Sequence, residues 1–136
     1  MTTQITKIAM FAIAAFALSG MAIAPAFASH PIVSDQYTMV SGFNETDIID
    51  VGCGSSDECQ AGFSGYAGTS IASLHFGVTG NTSCSQVDGH LVGSGWHEHQ
   101  TAYNVDYTGG QWNFNGPSTI DVDDVMTYTV EYTSCS

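Results

Sequence analysis

The sequence predicts an all-β protein: a small, disulfide-stapled antiparallel β-sandwich, immunoglobulin-like or jelly-roll in type, behind an N-terminal signal peptide. Three observations lead there. Apolar and polar residues alternate at period two in several short stretches, the pattern of half-buried strands. Residues 29–136 hold 25 Ser and Thr and 14 Gly, and their apolar residues are largely β-branched or aromatic. Four cysteines, an even number, all lie beyond the leader.

The first 28 residues read as a secretory signal. Lys7 closes a short n-region, an apolar stretch runs from residue 8 to about residue 18, and Ala26-Phe27-Ala28 supplies a small-residue cleavage site. Retained, residues 8–28 are long enough to span a bilayer, but Pro25 and the Ala-Phe-Ala ending favour cleavage. Residues 29–136 then form one domain with no further apolar run of spanning length.

Along that domain, strands are expected at residues 37–41, 48–51, 72–78, 111–114, 119–122 and 126–133, with one bent strand or two between 90 and 107. The alternation is clearest where Met126, Tyr128, Val130 and Tyr132 share one face and Thr127, Thr129, Glu131 and Thr133 the other. Ala72, Leu74, Phe76 and Val78 repeat the pattern. Residues 52–68, rich in Gly and holding two cysteines, read as the largest loop. Thr108-Gly109-Gly110 reads as a hairpin, because Gly-Gly tolerates the positive φ of primed turns. Asn115-Gly116-Pro117 marks another stop. Three disulfide pairings are open; the preferred one joins Cys53 to Cys59 across a small loop and Cys84 to Cys135, tying the last strand to the middle of the chain.

Composition excludes whole classes of partner. Thirteen acids face one base, for a formal charge of -12, and that base lies in the leader. Without Lys or Arg the domain has nothing to displace counterions from a nucleic-acid backbone or to attach to anionic lipid. Carboxylates must find His, backbone N–H groups, hydroxyls or an external cation instead.

The sharpest local motif is Trp96-His97-Glu98-His99. On a strand, His97 and His99 point to one face, at a spacing two metal-ligating imidazoles can use, and Thr101, Tyr103, Val105 and Tyr107 continue that face if the strand is unbroken. His90 or His75 is the candidate third ligand, and neutral imidazole suits copper or zinc. The bland alternative is a pair of polar side chains facing water. No Met follows Cys84 and His90 closely, as a blue-copper loop requires, and Gln100-Thr101-Ala102-Tyr103 lacks the Glu that accompanies His-x-His in metal-binding double-stranded barrels. Ser29-His30-Pro31, at the expected new N-terminus, is a further Cu(II) chelator by amine and imidazole.

Asp121, Asp123 and Asp124 form an acidic turn of the kind that holds Ca²⁺, with Glu45, Asp47 and Asp50 in a second cluster and Asp57 and Glu58 in the cysteine loop. No segment fits the twelve-residue helix-loop-helix calcium pattern. There is no nucleophile elbow, no phosphate-cradling loop and no cation to hold an oxyanion, so no catalytic residue is assigned. Asn44 and Asn81 begin glycosylation sequons. Trp96, Tyr103, Trp112 and Phe114 gather around the expected hairpin as a candidate binding face.

These readings converge on a secreted or cell-surface module without catalytic activity, which binds, adheres or assembles and is stabilised by Ca²⁺. Its expected partners are a protein or carbohydrate at the cell surface, or itself, with residues 32–40 a candidate donated strand. The alternative is a small exported copper- or zinc-binding protein that uses the His-x-His strand.

Overall fold

Alternation fixes which face of each strand is buried, and the computed structural model, which describes residues 30–54 and 56–136, stacks those faces as two antiparallel sheets. The expected signal peptide, residues 1–28, lies outside the described residues. The strands are β1 (Ile32–Thr38), β2 (Phe43–Glu45), β3 (Ile49–Gly52), β4 (Glu58–Tyr66), β5 (Ile71–Val78), β6 (Cys84–Gly93), β7 (Trp96–Val105), β8 (Gly110–Asn115) and β9 (Val125–Cys135). Sheet I has the order β1-β9-β6-β7; sheet II runs β2-β4-β5-β8, with β3 also pairing to β4. No described helix is long and apolar enough to cross a membrane.

The inner face of β9 (Met126, Tyr128, Val130, Tyr132) meets Phe63, Leu74 and Phe114 of sheet II in one core. Burial holds the Tyr132 phenol far above its ordinary range and pushes that of Tyr128 up to about 12. The Tyr132 hydroxyl crosses between the sheets to donate to the Gln60 carbonyl. The Tyr128 hydroxyl lies near Thr46 without a well-formed hydrogen bond. Trp112 stacks on Phe76, ring centroids 3.9 Å apart, and its ring fills the space where Gly89 on β6 lacks a side chain.

Both preferred disulfides are present, Cys53–Cys59 and Cys84–Cys135. Two non-glycine residues with positive φ, Asn104 and Ser134, explain how the second reaches the core. Both flank Ser85, where pairing is interrupted between Cys84↔Cys135 and Gln86↔Thr133 on one side and between Cys84↔Val105 and Gln86↔Tyr103 on the other. Three adjacent strands therefore bend in one row, which turns Cys84 and Val105 inward. The expected face shared by His97, His99, Thr101 and Tyr103 accordingly ends before Val105.

Three expectations about local structure are corrected, and one left open is decided. Residues 52–68 are not a loop: they contain β4, a central strand whose small residues allow both faces to be covered, with Ile48 lying over Gly62. The turn at residues 108–110 is not a hairpin, since β8 pairs with β5 and the turn carries the chain from sheet I to sheet II. Its glycine is nonetheless needed: Gly109 sits at φ 57°, against the Phe76 carbonyl. Residues 119–122 are not a strand, because Ile120 is drawn into the core and the backbone turns back at once. The run from 90 to 107 resolves into two strands, β6 and β7, joined by a tight turn at residues 94–95.

Candidate metal centre

Register, rather than proximity in sequence, assembles the histidines. In the β6–β7 ladder His90 faces His99 and Val92 faces His97; one step along, Asp88 faces Thr101. Val87 and Leu91 point inward, so Asp88, His90 and Val92 point outward beside His97, His99 and Thr101 on the neighbouring edge strand. β9 continues the face with Thr127, Thr129 and Glu131, opposite Val92, His90 and Asp88 in turn.

His90 stands at the centre. Its Nδ1 is 3.1 Å from Nε2 of His97, and its ring stacks on His99 with centroids 4.4 Å apart. Nε2 of His99 turns the other way, 3.6 Å from Asp88 Oδ1 and 3.4 Å from the Thr101 hydroxyl. Thr101 donates to Asp88 Oδ1 at 2.6 Å and Gln86 to Oδ2 at 3.0 Å. Partial burial lowers the pKa of His90, helped by repulsion from His99 and His97 against weaker support from Asp88 and Glu131. At Asp88 burial works to raise the pKa, but hydrogen bonds from Thr101, Gln86 and His99 together outweigh it and hold the carboxyl below its usual value. At neutral pH the face thus presents neutral imidazole at His90 beside an ionised carboxylate.

Of the sequence candidates, His97, His99 and His90 come together. His75 does not: it lies on the outer face of sheet II against the Ser64 hydroxyl. His30 reaches sheet I from its end, with Nδ1 3.4 Å from Glu131 Oε2. Asp88 was not singled out from the sequence; its signal is the two-residue spacing to His90 on one strand, which acquires meaning only once β6 and β7 are paired.

Asp121, Asp123 and Asp124 do not each bring an oxygen within 4.8 Å of one another, among the described residues. Asp124 Oδ2 accepts the Asp121 amide, and backbone bonds from Met39 to Asp124 and from Asp123 to Met39 fasten the turn. Asp57 likewise serves a turn, accepting from the amides of Asn81 and Thr82 and from the Thr82 hydroxyl.

Two candidate sites are corrected. Trp96, Trp112 and Phe114 do not form a binding face with Tyr103: all three are buried on inner faces, and only Tyr103 is exposed. Asn44 is 5% exposed; its amide donates to the Val40 and Gly42 carbonyls and its oxygen accepts from Tyr37, so the nitrogen a glycan would take is already committed inside the fold. Asn81 is exposed. Residues 32–40, the candidate donated strand, contain β1, which pairs within the chain to β9 from Ile32↔Glu131 to Thr38↔Val125.

Comparison with protein-family models, with curated proteins and with solved structures finds no match for the chain.

Proposed function

We propose that the protein is an exported module that binds a late first-row divalent ion, Cu(II) or Zn(II), on the outer face of sheet I. The observation that carries this reading is the 3.1 Å approach of His90 Nδ1 to His97 Nε2. Two imidazole nitrogens at about 2.0–2.1 Å from one ion lie roughly 2.9–3.3 Å apart for ligand angles between octahedral and tetrahedral. In the metal-free domain the two nitrogens share a hydrogen bond, and a metal ion would replace the shared proton once the rings rotate to turn both lone pairs toward it. His99 stacks on the His90 ring and Asp88 stands alongside as a charge-compensating carboxylate. The expected leader and the two disulfides, which suit an oxidising compartment, support a site that meets its ion outside the cytoplasm. In a domain without Lys or Arg, an external cation is also the strongest counter-charge available to Asp88.

Calorimetric titration of chelator-treated protein with Cu(II) and with Zn(II) tests the reading. Binding should weaken at least tenfold in His90→Ala and in His97→Ala, and stay unchanged in Asp121→Ala. Equal affinity in the double variant His90→Ala/His97→Ala, or no binding by the wild type, would sink it.

A second reading, a non-catalytic binding or adhesion module, draws on the opposite face. Phe43, Tyr66 and Ile71 are each more than half exposed on the outer side of sheet II, with the Phe43 and Tyr66 rings 5.0 Å apart. An exposed apolar row of this kind, with two aromatic rings in it, suits a protein or carbohydrate partner. Loss of cell-surface attachment in Phe43→Ala/Tyr66→Ala, with metal binding intact, would favour this reading; unchanged attachment would remove its support.

A further inference from the structure

Resting on the metal reading above, we infer that the ion held by His90 and His97 is completed by the same two residues of a second copy of this chain, which pairs two molecules face to face across sheet I. The first reason is coordination number. Zn(II) in closed sites takes four ligands, and one chain brings two ring nitrogens together, His90 Nδ1 and His97 Nε2. His99 does not supply the third in this arrangement: its Nε2 faces Asp88 and Thr101, and among the described residues His90, His97 and His99 do not bring three ligand atoms within 4.8 Å of one another. An ion on a two-fold axis doubles whatever one chain offers, so two nitrogens per chain become a complete tetrahedral set.

The second reason is access. His97 is exposed on β7, an edge strand, and the rows beside it hold Val92, Thr127 and Thr129, which are short or β-branched. No long cationic side chain stands between this face and another sheet, because the domain has neither Lys nor Arg. The third reason is charge. Each copy presents Asp88 and Glu131 on this face, with only weak bases beside them, His99 near Asp88 and His30 near Glu131. Two such faces repel each other at close range unless a cation lies between them, and an ion on the axis provides that positive charge at the point of contact.

Sedimentation velocity together with bound-metal analysis separates the possibilities. With excess Zn(II), the chelator-treated protein should double in mass at about 0.5 ion per chain and return to monomer with EDTA. His97→Ala, whose exposed side chain leaves the core untouched, should remain monomeric. His99→Ala should still dimerise at the same stoichiometry. A monomer that binds one Zn(II) per chain would overturn the pairing and leave the metal reading standing. Absence of Zn(II) binding would overturn both. A dimer that persists in EDTA or in His97→Ala would overturn the bridging role of the ion.

Discussion

Asp57 and Thr82 clasp each other across 25 positions of sequence: the Asp57 Oδ2 accepts both the backbone amide of Thr82, at 3.1 Å, and its hydroxyl, at 2.8 Å. Thr82 is almost fully buried, and the same oxygen accepts the Asn81 amide, so one carboxylate from the small disulfide loop organises the turn between β5 and β6. Hydrogen bonds to a charged acceptor contribute more than neutral ones, and stranding the buried Thr82 donors adds a desolvation penalty. Asp57→Ala should lower the unfolding free energy by about 2–3 kcal/mol in urea titrations. Glu58→Ala, next to it and exposed, should change stability by less than about 0.5 kcal/mol.

Gly89 meets the flat of the Trp112 ring, which itself lies on Phe76. A methyl group at position 89 forces that stack to move within a close-packed core. Gly89→Ala should destabilise the domain by about 1–3 kcal/mol, read by thermal unfolding, and change the near-ultraviolet circular dichroism of the tryptophans. Gly52→Ala, where an added Cβ has open space, serves as the neutral control.

The two buried tyrosines of β9 differ in how their hydroxyls are satisfied. Tyr132 donates to Gln60 across the sandwich, whereas the Tyr128 hydroxyl has no well-formed partner. Removing the Tyr132 hydroxyl leaves the Gln60 carbonyl to be compensated, while removing that of Tyr128 deletes an uncompensated burden. Tyr132→Phe should cost about 1 kcal/mol and Tyr128→Phe should be neutral or stabilising, compared by denaturant midpoint at constant m-value.

Acid should weaken the metal-free domain in two stages. His90 has its pKa lowered on folding, so the folded state takes up its proton less readily than the unfolded chain. Its stabilising effect is whole above the unfolded value of 6.5 and is lost as pH falls through the lower folded value. Asp88 follows the carboxylate rule: its contribution is complete above 3.8 and disappears as pH falls through its depressed folded value. Unfolding followed from pH 7.5 to 3 should show the first loss absent in His90→Gln and the second reduced in Asp88→Asn.

Much of the architecture was legible in the sequence, and particular residues show where legibility stopped. β5 and β9 declare themselves because their Leu, Phe, Val and Tyr alternate with small or polar residues, Ser73, His75 and Gly77 on one and mainly threonines on the other, and face one core. β4 hides, since Gly62, Ser64 and Gly65 are small residues chosen for close approach on both faces, and composition alone makes such a strand resemble a loop. Trp112 and Phe114 alternate with Gln111, Asn113 and Asn115, so their inward orientation was readable from the period-two rule; grouping them with Tyr103 ignored it. The turn at Gly109 announces a sharp bend but carries no information about which sheet receives the next strand. His97 and His99 were visible as a motif, and His90 as one of two candidates. Its place opposite His99 depends on a register set by the tight turn at residues 94–95 and by the inward-facing Leu91.

The Cys84–Cys135 bridge has a mechanical consequence. It closes a covalent ring that holds β6, β7, β8 and β9, and it ends one residue short of the chain terminus, where Ser136 and Ser83 exchange backbone hydrogen bonds. Tension between the two ends of the domain therefore bypasses the ring. Between residues 30 and 135, only the chain before Cys84 can pay out, on the order of 50 residues or 170 Å at full extension, against roughly 360 Å once both bridges are reduced. Under load, half of the sandwich, including the histidine face on β6 and β7, is a segment that pulling on the ends does not lengthen.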